Sequence, residues 1–124
     1  MERVFNFGKF TPGSKKAIED APVQLFNQHL LIKAFLADQF IKDCRQVYAV
    51  YYKDKNTLLL APDTDKDFKQ LHKAILLFVK IKNIEGDRSI SLQEFFADWP
   101  DVPSDDRELT FEFQSAINVL KVNL

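Results

Sequence analysis

The chain has 124 residues, 46% hydrophobic and 28% charged, with a formal net charge of −1. That length suits one domain with its own core, and the near-neutral balance lacks the strong basic bias of a typical nucleic-acid binder. The single cysteine, Cys44, excludes an internal disulfide, so a reducing, cytoplasmic setting is expected. No secretory h-region opens the chain and no apolar run approaches the roughly eighteen residues of a membrane span, so no membrane partner is expected.

In residues 1–22, Val4, Phe5, Phe7 and Phe10 fit either a short strand or an apolar arm, and Ser14 is a candidate cap for a short helix ended by Pro22. Val23 to Phe26 and His29 to Ile32 read as strands around an Asn27-Gln28 turn. Lys33 to Phe40 carries apolar residues at helical spacing. Gln46 to Tyr52 and Thr57 to Leu60 form a hairpin pattern around Lys53-Asp54-Lys55-Asn56, closed by Pro62. Asp63 or Thr64 can cap a helix in which Phe68, Leu71, Ile75 and Phe78 share one face. From Leu77 the apolar residues alternate with Lys80 and Lys82, as in a strand. Arg88 to Leu92 is the next strand, Gln93 to Trp99 a short helix, and Pro100 to Glu108 an acidic loop. Leu109 to Phe113 and Asn118 to Leu124 are the closing strands.

The order repeats. His29–Asp38 aligns without a gap on Ser89–Asp98, with Phe35/Phe95, Ala37/Ala97 and Asp38/Asp98 identical. Each half reads strand, strand, short helix, strand, strand, and neither can bury its apolar face alone. The expectation is a single mixed α/β, mostly β domain, a pseudo-twofold barrel of two similar halves: an arm (1–22), a first half (23–62), a connecting helix (63–76) and a second half (77–124).

This order resembles the swapped-hairpin barrel of the AbrB and MraZ families over about residues 23–124. The MraZ signature places an Asp four residues before an Arg at the first turn of each half, commonly with a Gly just before the Arg. Glu85-Gly86-Asp87-Arg88-Ser89-Ile90 is similar to it, with Arg88 at the Arg position and Ile84 in place of the Asp. The first half has His29 and Leu30 near the Arg position, and Lys33 and Gln93 stand where the family carries Pro. The resemblance implies a transcription-regulator-like protein that binds double-stranded DNA, with Arg88 as the carried-over contact.

Arg88, Lys80, Lys82, Lys33 and Arg45 are the candidate nucleic-acid-binding residues. Arg can donate bidentately to guanine and Lys neutralises phosphate. Lys80 and Lys82 share a strand face by alternation, and Arg88, across the turn, could converge with them. Lys42 reads as a solvated charge. The arm's Arg3, Lys9, Lys15 and Lys16 could also reach phosphate. Net charge is +3 over residues 1–62 (nine Lys/Arg, six Asp/Glu) and −4 over 63–124 (eight against twelve).

Catalysis has little to stand on. Three isolated glycines make no phosphate loop, the serines lack a nucleophile elbow, and Cys44 has no visible base. His29, His72 and Cys44 do not supply a four-ligand zinc pattern, so no metal or cofactor is expected. The alternative to DNA binding is a non-enzymatic protein-interaction or assembly module of the same fold, with a homo-oligomer as one outcome.

Overall fold

A computed structural model describes residues 21–124; the strand, arm and cap readings for residues 1–20 lie outside the described residues. The chain runs β1 (Val23–Phe26), β2 (His29–Ile32), α1 (Ala34–Phe40), β3 (Gln46–Tyr52), β4 (Thr57–Pro62), α2 (Lys66–His72), β5 (Ile75–Phe78), β6 (Lys80–Ile81), β7 (Arg88–Ser91), α3 (Gln93–Asp98), β8 (Arg107–Glu108), β9 (Phe111–Gln114) and β10 (Val119–Asn123). The strands form two antiparallel five-stranded sheets, in the orders β6-β7-β2-β1-β8 and β5-β3-β4-β10-β9. The domain is thus mixed α/β and mostly strand. Neither sheet closes on itself, so the expected single closed barrel is replaced by two facing open sheets. Each ends in an edge strand, and β6 and β8 are only two residues long.

Local chemistry explains most of the elements. β1 and β2 join through Asn27 and Gln28, both at positive φ, the conformation a tight two-residue hairpin needs. The hairpins β3–β4 and β9–β10 both turn on an asparagine at positive φ, Asn56 (φ 50) and Asn118 (φ 55). Asn tolerates this region better than most residues. Tyr51 fixes the first of these turns by donating its hydroxyl to Asn56 Oδ1 at 2.6 Å.

The pairing register is reciprocal between the halves. In the first sheet His29 pairs with Ser91, Leu30 with Ile90 and Leu31 with Ser89. In the second, Leu60 pairs with Leu120 and Leu58 with Val122, flanking the pair Leu59–Lys121. Both central pairings join strands from different halves, so each half completes the other's sheet.

The main core lies between the sheets. Val23, Leu25, Leu30, Ile32 and Ile90 face Leu60, Leu120 and Val122, and Phe40 and Phe96 enter from α1 and α3. Phe40 meets Phe113 edge-on, ring centroids 5.9 Å apart. A smaller cluster of Tyr48, Ala61, Phe68 and Val119 buries the opposite face of the second sheet under α2. The Pro100–Glu108 segment is not all solvated loop. Arg107 and Glu108 pair with Leu25 and Gln24, covering the β1 edge.

Candidate functional site

The segment joining the halves behaves differently from its helical spacing. Asp65, rather than Asp63 or Thr64, caps α2 by accepting the Phe68 N–H at 3.0 Å. Lys73 at φ 52 ends the helix, so the chain is extended by Ile75, short of the expected helix limit at residue 76. Of the four apolar residues expected on one helix face, Phe68 is buried, Leu71 is 78% exposed on α2, and Ile75 and Phe78 belong to β5.

β5 then passes through Val79 into β6. Val79 donates its N–H to the Arg45 carbonyl at 2.8 Å, holding the crossover against the start of β3. β5 is an edge of the second sheet and β6 an edge of the first. One continuous stretch of about seven residues, 75–81, therefore carries, among the described residues, an open margin of both sheets. Its side chains are largely unburied: Ile75 is 64% exposed, Phe78 71% and Ile81 71%. An apolar strand margin of this kind is a template for pairing with another chain.

Beside this margin lies a groove of about 620 Å³, walled by β5 and β3 on one side and by β7 and α3 on the other. Its apolar lining includes Ile75, Leu77, Tyr51, Phe95 and Trp99. Tyr51 packs edge-on against both Phe95 (4.9 Å) and Trp99 (5.1 Å), which sets the orientation of the aromatic wall. Glu94 and Asp98 of α3 and Lys73 and Lys80 line it as well.

Of the nucleic-acid candidates, Arg88 is the buried one. Arg88 is 7% exposed. Its guanidinium donates to the Lys42 carbonyl at 2.8 Å, to the Gly86 carbonyl, and to Asp38 Oδ1 at 3.4 Å. Gly86 sits at φ +94, where a Cβ would come within 3.3 Å of the Arg88 Nη1, so this position is matched to glycine twice over. Arg88 pairs with Ile81 and so shares its face, opposite to Lys80. Arg88 and the two lysines thus lie on opposite faces of the β6–β7 pair. Lys33 forms an ion pair with Asp87 at 3.7 Å. Lys80, Lys82, Arg45 and Lys42 are exposed, and the Lys82 ammonium stands 5.4 Å from the Phe26 ring centroid.

Asp87 is the residue that sequence reasoning passed over. α1 has no side-chain cap of its own at Lys33. Asp87, from the other half, accepts the Ala34 N–H at 2.8 Å and so caps that helix across the domain. Burial pushes the Asp87 carboxyl up, but the Asn83 amide, the Ala34 N–H and the Lys33 ammonium outweigh it and hold the group below the usual carboxylate range. A carboxyl lowered by folding lends stability that is present above its unfolded value, about 3.9, and is lost as pH falls through the folded value. Asp87→Ala is therefore expected to cost about 1 kcal/mol at neutral pH. The gap to wild type should narrow in acid. Urea titrations across pH check this, and a pH-independent gap would sink the electrostatic part.

Elsewhere, burial raises the Cys44 pKa and the neighbouring Asp63 adds to it, keeping the group a thiol rather than the reactive thiolate. His72 packs against Phe68 and shares a hydrogen bond with the Tyr52 hydroxyl. Among the described residues no three His, Cys, Asp or Glu cluster as a metal site would require, and no helix is long and apolar enough to cross a membrane. Comparison of the chain with protein-family models, with curated proteins and with solved structures gave no match in any of the three.

Proposed function

We propose that the chain is a non-enzymatic protein-interaction and assembly module whose working surface is the β5–β6 margin. The carrying observation is the concentration of exposed Ile75, Phe78 and Ile81 on a strand segment that, among the described residues, is an open edge of both sheets. Main-chain donors and acceptors on such an edge supply affinity, and the alternating side chains supply selectivity. The reciprocal pairings of β2 with β7 and β4 with β10 support a pseudo-twofold, swapped-hairpin arrangement of two open sheets. In that reading the β5–β6 crossover is where the two halves are stitched together, and its outer side is left for a partner, a second copy included. In sedimentation experiments the apparent mass of the wild type should rise with concentration, and Phe78→Glu should abolish the rise by placing a desolvated charge in the contact. A wild type that stays monomeric at every concentration would remove self-assembly from the reading.

The second reading is the transcription-regulator-like one, with duplex DNA as partner. Lys80 and Lys82, exposed beside the loop that resembles the MraZ turn, favour it, with Lys33 and Arg45 as outer phosphate contacts and Arg88 as a residue that positions the loop. Fluorescence anisotropy with random duplex DNA at two salt concentrations decides it. Binding that collapses with salt and weakens in Lys80→Ala/Lys82→Ala supports DNA recognition. No binding at low salt leaves the interaction reading alone.

A further inference from the structure

A single residue links two blocks of the domain. β5 pairs with β3 and β6 pairs with β7. Residues 21–78 therefore keep one end of the crossover and residues 80–124 keep the other, with Val79 alone between the two strands. Three strand pairings cross from block to block: β1 with β8, β2 with β7, and β4 with β10. The apolar pairs Leu30–Ile90, Leu60–Leu120 and Leu58–Val122 belong to these crossings, and all six side chains are buried. Polar ties cross as well, from Asp87 to the Ala34 N–H and from Arg88 to the Lys42 carbonyl. None of these contacts depends on the two blocks sharing one chain, because a second copy presents the same surfaces.

The link lies at the rim of the domain and not in its core. Its neighbours Phe78 and Ile81 are each 71% exposed, and Val79 itself is half-buried. Lifting one block off the other at Val79 gives up the hydrogen bond from its N–H to the Arg45 carbonyl, while β5 stays on β3 and β6 stays on β7. A β-branched residue favours extended backbone, so the link accommodates a straight path from one molecule to another. A one-residue connection between the edges of two different sheets also has no slack, and short hinges invite exchange between copies.

We propose that two copies of this chain exchange residues 80–124 about Val79, giving a dimer of two composite domains. In each, residues 21–78 of one copy are completed by residues 80–124 of the other. This goes beyond the margin reading and does not rest on it, since every pairing of the single chain is kept and only the hinge changes. The tether holds the two blocks at an effective concentration on the order of millimolar, so chains folding in dilution close on themselves. Exchange is the product of chains that fold crowded together. Once made, it persists on dilution, because undoing it requires opening the core.

Leu31 and Ser89 lie directly opposite each other on β2 and β7, and both are half-buried. Opposed residues in an antiparallel pair have Cα atoms about 4.5–5.5 Å apart, within the reach of a disulfide. Two full-length variants, Leu31→Cys and Ser89→Cys, each also carrying Cys44→Ser, are denatured, mixed, refolded together at a series of protein concentrations and oxidised. The expected product is a disulfide-linked heterodimer, identified by its mass, whose yield rises roughly in proportion to the concentration during refolding. Monomers at every concentration would overturn the proposal. So would an equal yield of heterodimer from variants refolded apart and then mixed, which would show collision of accessible thiols. Far-UV circular dichroism of each variant verifies that it folds. Repeating the series with Phe78→Glu in both chains separates the two readings. Heterodimer that survives there belongs to exchange, and heterodimer that disappears would overturn exchange by assigning the contact to the margin. A wild type that stays monomeric in sedimentation while the refolded heterodimer forms would discard self-assembly at the margin and keep exchange.

Discussion

Arg88→Ala is expected to lower the free energy of unfolding by about 2–3 kcal/mol, with a cooperative transition retained. The size follows from what the guanidinium touches. Asp38 is largely exposed, so the ion pair itself is screened and contributes little. The carbonyls of Lys42 and Gly86 are the larger loss, because truncation leaves both without their charged donor and opens a void. These two carbonyls belong to the turn after α1 and to the β6–β7 loop, so one side chain ties together segments from both halves. Arg88→Lys should recover only part of the loss, since a single ammonium lacks the planar fork that reaches both acceptors. Chemical denaturation monitored by circular dichroism measures each value. A cost below about 0.5 kcal/mol, ordinary for a surface site, would show that Arg88 is not structural. It would then be free to act on a ligand.

The second large effect is expected at the pair Leu30–Ile90. Both side chains are fully buried and lie opposite each other where β2 meets β7. Leu30→Ala and Ile90→Ala should each cost about 2–5 kcal/mol, the transfer term plus the cavity. In the double variant the costs should fall short of additivity, because the second truncation enlarges a cavity already made. A reciprocal register also predicts that the two single variants resemble each other in slope as well as midpoint, both unfolding the whole domain. If Ile90→Ala instead unfolded the second half alone, leaving residues 23–62 folded in a two-step denaturation curve, the halves would not be interdependent.

Elements written in local chemistry were legible in the sequence. The β1–β2 hairpin, α1, β3, β7 and α3 fall within a residue or so of where their patterns place them, because turn residues and apolar spacing act over a few positions. Elements that depend on distant partners were not. β8 is two residues whose only claim to being a strand is the β1 edge beside them. Phe68, Leu71, Ile75 and Phe78 fit a helix face, yet a lysine at positive φ intervenes, a conformation that the residue type does not announce. Arg88 was read as a DNA contact through the resemblance of its loop to the MraZ turn, and its carbonyl partners cannot be inferred from spacing. Asp87 caps a helix that begins 53 positions earlier. The groove was equally hidden, since its walls come from β3, β5, β7 and α3. What the sequence did carry of it was the apolar pattern of the strands that interlock by pairing at long range, β2 with β7 and β4 with β10.

That interlocking has a consequence during synthesis on the ribosome. β4 waits for β10 and β2 waits for β7 before either can bury its second edge, and the waiting strands are among the most apolar in the chain. At the usual pace of translation, roughly 5–20 residues per second, the first half spends seconds outside the exit tunnel as a two-edged fragment. Residues 119–123 complete the second sheet, so the apolar edge of β4 stays uncovered until they emerge. Codon changes that slow the stretch encoding residues 77–118 should lower the soluble yield of this protein while leaving the stability of the finished molecule unchanged.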